Sequence, residues 1–211
     1  MCHRNGGHLK SLARVDHAFG SHVIFDGAAV DLPDRGVVAL RGPNGCGKTT
    51  LLKLLGGMIS TSCTEIERWR KDFTAVYLDT DFLTLDYLTV EEHLDMVRPL
   101  IGTSEMPEDE GHHLLTEQMM PAKVADLSLG QRQRLVLTVA LALRNVDVLL
   151  LDETLNGLDQ QASLVARQSI LAVGRGRLVL VATHEDDHWT DYDLAIRQKD
   201  TVELRPTGAR K

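Results

Sequence analysis

Residues 36–40 (Gly-Val-Val-Ala-Leu) form a short β-branched run, with Pro33-Asp34 before it and Gly42-Pro43 after it. Its length and flanks predict a buried strand rather than a helix. Residues 73–78, 146–151 and 178–182 read the same way. Between them the period changes to that of helices. Leu51, Leu52, Leu54 and Leu55 follow a glycine-rich turn, Leu135, Val139 and Leu143 recur at i, i+4 and i+8, and Ala166, Ile170 and Val173 at i, i+4 and i+7. Strands alternating with helices predict an α/β core whose mainly parallel sheet is covered on both faces. Towards the N-terminus, residues 15–25 and 28–32 suggest antiparallel strands. Residues 85–125 break the alternation and offer no buried strand. Thr89 and Glu92 form a Thr-x-x-Glu capping box, which opens a helix expected to run to about Arg98, ahead of Pro99. The expectation is one domain over 1–211. Its core is 1–83 and 126–205, a small helical subdomain is inserted at 84–125, and a basic tail frays from Arg205 onwards, with 206–211 outside the core.

Composition narrows the class. The 43% hydrophobic and 25% charged residues of this 211-residue chain are ordinary for a folded domain and exclude collagen-like and low-complexity readings. Thirty acidic against 23 basic side chains give a net charge of −7, which argues against nonspecific nucleic-acid binding. No window reaches the ~18 consecutive apolar residues that a membrane-spanning helix needs. The first residues lack the apolar run of a secretory signal, so a cytoplasmic location is expected. Cys2, Cys46 and Cys63 are scattered, without Cys-x-x-Cys spacing, and suggest neither a disulfide framework nor a zinc site. His112-His113 lies among Glu105, Glu108, Asp109 and Glu110, and reads as a solvated turn rather than a metal site.

Three segments carry candidate chemistry. Gly42, Pro43, Asn44, Gly45, Cys46, Gly47, Lys48 and Thr49 match G-x-x-x-x-G-K-[ST], between a predicted strand and a predicted helix. There the glycines let successive N–H groups turn inward as an anion cradle, and the helix adds its positive end. Lys48 would reach the β- and γ-phosphates, Thr49 would ligate Mg²⁺, and Thr50 would contact the α-phosphate. The bland alternative is a glycine-rich turn that matches by chance. Next, the apolar strand at 147–151 ends in Asp152 and Glu153, which emerge at the carboxyl edge of the sheet. Asp152 is placed to hold a Mg²⁺-bound water and Glu153 to face an attacking water, although paired acids also cap helices. Last, Ser128 and Gln131 have capping-box spacing, but Gly130 within the same first turn costs ~1 kcal/mol relative to alanine unless something approaches the backbone. A second anion site, serving a neighbouring molecule, fits both facts.

Taken in order, these motifs resemble those of ATP-binding cassette (ABC) transporter nucleotide-binding subunits over nearly the whole chain. Residues 42–49 resemble Walker A, 127–131 the Leu-Ser-Gly-Gly-Gln signature, and 149–152 with Glu153 Walker B and the catalytic glutamate. Asn156 to Asp159 is similar to the D-loop, and Thr183-His184 to the switch histidine. The resemblance implies a P-loop NTPase core that hydrolyses ATP with Mg²⁺. In the family two such domains stack head to tail, so that Ser128 and the backbone at Gly130, within a signature that includes Gln131, would act on the ATP of the partner's Walker A. It further implies that His184 contacts the γ-phosphate and that Asp159 couples the two sites. Phe19 stands where an aromatic residue stacks on adenine, and a core or strand-edge phenylalanine is an equal alternative. Three departures stand out: Thr80 replaces the usual metal-facing glutamine, Leu129 replaces the signature's first glycine, and Thr154-Leu155 replaces Pro-Thr. The implied partners are a second ABC ATPase subunit and an integral membrane permease subunit, which would hold the chain at the inner face of the cell membrane. The short lobe and the lack of a regulatory domain after Arg205 lean towards an exporter. The alternative is an ABC ATPase that remodels a soluble assembly, such as one for iron–sulfur clusters. A small-molecule P-loop kinase would need neither the signature nor the histidine.

Overall fold

The computed structural model describes residues 11–79, 84–101, 114–183, 189–198 and 201–207. Strands β1 (Leu12–Phe19) and β2 (His22–Val30) form an antiparallel pair of their own. Strands β3 (Gly36–Arg41), β4 (Ala75–Leu78), β5 (Val148–Asp152), β6 (Leu178–Ala182), β7 (Tyr192–Gln198) and β8 (Thr201–Pro206) build a second sheet in the order β4-β5-β6-β3-β7-β8. All its pairings are parallel except the edge pair β7–β8. The fold is thus α/β with a mainly parallel sheet and an N-terminal antiparallel β region. β3, β5 and β6 are buried almost throughout because both faces of the sheet are covered.

Helices α1 (Lys48–Leu55) and α2 (Thr64–Asp72) and the β1–β2 pair cover one face. Helices α4 (Leu129–Ala142) and α5 (Gln160–Gly174) cover the other. The inserted segment contributes α3 (Val90–Ile101) and two short 3-10 turns, Glu117–Met119 and Val124–Asp126. Val90, Val97, Met119 and Val124 pack there against Leu135, Val139 and Ala142 of α4. On the other side of the same helix, Val136, Leu137, Ala140 and Leu141 face the sheet. The Leu135/Val139 spacing therefore marks the seam with the lobe, not the seam with the sheet.

Several boundaries differ from the sequence expectations. The first strand was expected to run through to residue 25, but the chain reverses at Gly20-Ser21, where Gly20 takes φ +60° and Phe19 pairs with His22. Asp26-Gly27 lies within β2, where the Gly27 N–H donates to Asp16 Oδ1 at 2.7 Å. Residues 73 and 74 precede β4 because Phe73 ends α2, tilted on Trp69. The Thr89–Glu92 capping box forms, with the Thr89 N–H donating to Glu92 Oε2 at 2.8 Å and the Glu92 N–H to Thr89 Oγ1 at 3.2 Å. Its helix nevertheless passes Pro99, since a proline so near the last turn forfeits only one backbone bond. Arg205, expected in a fraying tail, pairs with Asp193 within β8. The His112-His113 pair and Cys2 lie outside the described residues.

Arg70 of α2 fastens α1. Its guanidinium donates to the Leu54 carbonyl and, at 2.8 Å, to that of Ile59, and it pairs with Glu67 at 2.9 Å. The last carbonyls of α1 have no partners within the helix; those of Leu52 and Lys53 accept from the N–H groups of Gly56 and Met58, and that of Leu54 accepts from Gly57 and from this cation. Arg70→Ala is expected to lower unfolding stability by about 2 kcal/mol, the range for a hydrogen bond to a charged group. Urea unfolding monitored by far-UV circular dichroism measures the loss.

Candidate functional site

The turn from β3 into α1 has the shape that its glycines permit. Gly42, Gly45 and Gly47 all take positive φ. At Gly47, φ is +105° and a Cβ would lie 2.8 Å from Ile24 Cγ2 and 2.9 Å from Phe25 Cζ, so only glycine fits. The Cys46 N–H donates to the Pro43 carbonyl at 3.2 Å, and the half-buried Cys46 packs against the core below. Lys48, 7% exposed, donates from Nζ to the carbonyls of Gly42 at 2.8 Å and Pro43 at 3.2 Å, which keeps a buried ammonium hydrogen-bonded. No acidic residue occupies the first turn of α1, so its positive end is uncompensated by its own side chains. Asn44, Gly45, Gly47, Lys48, Thr49, Thr50 and Glu153 line one open cleft of about 460 Å³.

The carboxylates come from the end of β5. Asp152 is 8% exposed and accepts twice: from the Thr49 hydroxyl on Oδ1 at 3.1 Å, and from the Tyr77 hydroxyl on Oδ2 at 2.7 Å. Two hard oxygens, Thr49 Oγ1 and Asp152 Oδ1, thus lie side by side, the donor type that Mg²⁺ selects when phosphates and waters complete its shell. Glu153 takes φ +54°, a conformation costing on the order of 1–3 kcal/mol for a residue other than glycine. Its N–H donates to the Ala182 carbonyl at 3.3 Å, and its Oε2 accepts from Asn156 Nδ2 at 3.2 Å. The strained backbone directs this acid into the cleft.

Ser128 N-caps α4 in a complete capping box with Gln131, so the bland reading of that spacing is part of the picture. Gly130 has a separate reason. A Cβ there would lie 2.6 Å from the carbonyl oxygen of Gly157, so the turn after β5 packs on the bare backbone of α4. Ser128, Gly130 and Gln131 are not among the described residues lining the cleft. Asp159 N-caps α5, accepting from the Ala162 N–H at 2.9 Å, and forms an ion pair with Arg134 of α4. Phe19 is 52% exposed at the end of β1, edge-on to His17 with ring centroids 4.7 Å apart. Thr80 and His184 lie outside the described residues.

Two contacts escaped sequence reasoning. Tyr77 was visible only as the one residue with a polar tip in β4, and Arg134 as one of several charges near the start of α4. Burial first, and then the hydrogen bond and charge of Asp152, push the Tyr77 hydroxyl far above the usual phenol range, so it remains a donor.

Two outcomes are expected at the junction of α4 and α5. The Ala162 N–H, and beyond it Arg134, hold the Asp159 carboxyl below the usual carboxylate range. A carboxyl so depressed contributes its stability above the ordinary carboxylate pKa and loses it as pH falls through the folded value. Asp159→Asn therefore flattens the acid limb of the melting temperature against pH. Gly130→Ala lowers the melting temperature, although alanine gains ~1 kcal/mol over glycine in an unobstructed helix; calorimetry measures both.

Residues 25–156 match the ABC transporter family model. The chain is 32% identical over 189 residues to the zinc import ATP-binding protein ZnuC of Chromohalobacter salexigens, covering 84% of this chain and 74% of that one. It is 33% identical over 199 residues to the cytochrome c biogenesis ATP-binding export protein CcmA of Nitrobacter winogradskyi, covering 90% and 94%. In fold it is similar to the ATP-binding cassette MJ0796, solved as a dimer in a post-hydrolysis state bound to ADP and Pi. That likeness has a TM-score of 0.70 over 94% of this chain and 97% of the other, at 19% identity. With a family match over more than half its length and such relatives over most of theirs, the chain belongs to the ABC transporter family, as one of its ATP-binding ATPase subunits.

Proposed function

We propose that this chain powers a membrane transporter by closing with a second ABC ATPase subunit, identical or related, around two MgATP, and reopening after hydrolysis. The observation that carries this reading is the composition of the cleft. It gathers the phosphate loop and Glu153 but omits Ser128, Gly130 and Gln131 at the tip of α4, where Leu129 is 59% exposed. A signature tip outside its own cleft suits a neighbour's nucleotide.

In this reading the N–H groups of residues 42–47, the start of α1, and the Lys48 ammonium hold the β- and γ-phosphates, and Thr50 meets the α-phosphate. Thr49 and Asp152, together with Thr80, would hold Mg²⁺. When bound, the ion would supply positive charge that offsets the charge of the phosphates. Glu153 takes the proton of the attacking water, and His184 contacts the γ-phosphate. Lys48 meets the charge that develops as the terminal phosphoryl group departs. Asp159, tied to α4 through Arg134, links the turn after Glu153 to the signature helix, and so one site to the other. Phe19 offers an exposed ring to adenine.

The inserted segment is the docking surface for a permease subunit, which keeps the chain at the cytoplasmic face of the cell membrane. The support is chemical: Tyr87, Met96 and Leu100 are exposed by 71%, 43% and 57%. No helix among the described residues is long and apolar enough to cross a membrane. The zinc import and cytochrome c biogenesis export relatives favour transport over remodelling of a soluble assembly.

Glu153→Gln is expected to leave ATP affinity intact, lower turnover by roughly 100-fold or more, the lower bound for loss of a general base, and accumulate an ATP-bound dimer. Phosphate release and light scattering measure these; wild-type turnover would overturn the role of Glu153. Ser128→Arg should spare nucleotide binding by the single subunit and prevent the dimer. Normal ATP-driven dimerisation of that variant would remove the signature from the neighbour's site.

A further inference from the structure

Asp152 stands between two hydroxyls, and only one belongs to the phosphate loop. Tyr77 lies on β4 beside Leu150 of β5, and the alternation of a strand puts Asp152, two residues on, over the same face. The phenol and the carboxylate are 7% and 8% exposed, and their 2.7 Å contact is direct. The ring has a prepared seat. At Gly56, just past α1, a Cβ would lie 2.6 Å from the Cβ of Tyr77, so any larger residue there displaces it. The Lys53 ammonium lies 5.7 Å from the ring centroid on the α1 side. A buried tyrosine needs a partner for its hydroxyl, and here the partner is the carboxylate at the end of β5.

We infer that Tyr77 is a positioning residue for Asp152: it holds Oδ2, so that Oδ1, beside the Thr49 hydroxyl, is the oxygen presented to the magnesium shell. The inference rests on the proposed MgATP reading and adds a residue to it. The torsion that orients a carboxylate is broad, and a fixed donor on one oxygen narrows it. A phenol does so without neutralising the acid, whereas an arginine or lysine would compete with the cation for its charge. Tyr77 itself touches no phosphate in this scheme. Its effect passes through Asp152, so it shows in how much magnesium the site requires rather than in nucleotide binding without metal.

The test uses the full chain, a fluorescent nonhydrolysable ATP analogue, and two titrations: nucleotide in EDTA, and MgCl2 at fixed nucleotide. Tyr77→Phe keeps the ring in its seat and removes the donor. The expected result is metal-free affinity within about twofold of wild type, and a magnesium requirement raised about tenfold, the lower range for losing a partner of a metal ligand. Gly56→Ala, whose added Cβ would meet Tyr77 Cβ at 2.6 Å and the Leu52 carbonyl oxygen at 3.3 Å, should shift Tyr77 and move the magnesium requirement the same way, and answers the question if Tyr77→Phe does not fold. A wild-type magnesium profile in the folded variants overturns the inference. So does an equal weakening with and without metal, which marks a tyrosine that only fills space. Failure of the wild-type chain to bind the analogue under either condition sinks the MgATP reading itself, and is distinguishable because no titration then responds.

Discussion

The register of three parallel strands sets everything at the site. Leu40 of β3 and Asp152 of β5 both pair with Ala182 of β6, so the chain leaves all three strands at one level. The glycine-rich turn begins two residues beyond Leu40, Asp152 and Glu153 stand at the end of β5, and Thr183 follows β6. These strands are buried on both faces, and a one-residue slip would turn every side chain to the opposite face. Burial therefore specifies the register, and the register delivers the lysine, the hydroxyl and the two acids to a common edge. The 3.1 Å contact between Thr49 and Asp152, residues 103 positions apart, follows from it.

Behind that edge, α4 serves two structures. Its sheet-facing residues belong to the core, and Leu135, Val139 and Ala142 belong to the lobe. Polar contacts follow the same division. Arg132 pairs with Asp86 at 3.0 Å and donates to the Val124 carbonyl at 3.2 Å, both in the inserted segment, whereas Arg134 pairs with Asp159 ahead of α5. Gly130 packs under the Gly157 carbonyl. The N-terminal tip of α4, the lobe and the turn after Glu153 are thereby fastened to one helix.

Much of this was legible in the sequence because the features obey local rules. Glycines in left-handed conformations, a lysine at a helix start, apolar strands ending in acids, and two capping boxes each declare themselves within a few residues. What escaped depends on distant partners or on little burial. α2 buries only Ile66 and Trp69 of its nine residues, too few to show a period. β7 and β8 form an edge hairpin whose polar positions blur the alternation. The hydroxyl of Tyr77 finds its acceptor 75 positions away, and nothing near it in the chain announces the pairing. The reversal at Gly20 was missed because the expected strands, 15–25 and 28–32, put the break at residues 26–27 instead.

A helix gripped from both sides leaves little room for drift. From Leu135 to Ala142 every side chain of α4 is buried, so a change that suits the sheet must also suit the lobe. Neutral substitutions will accumulate instead on elements such as α2, whose solvent face is wide. Lineages of this chain should thus diverge in their periphery while α4 changes only through paired exchanges on its two flanks.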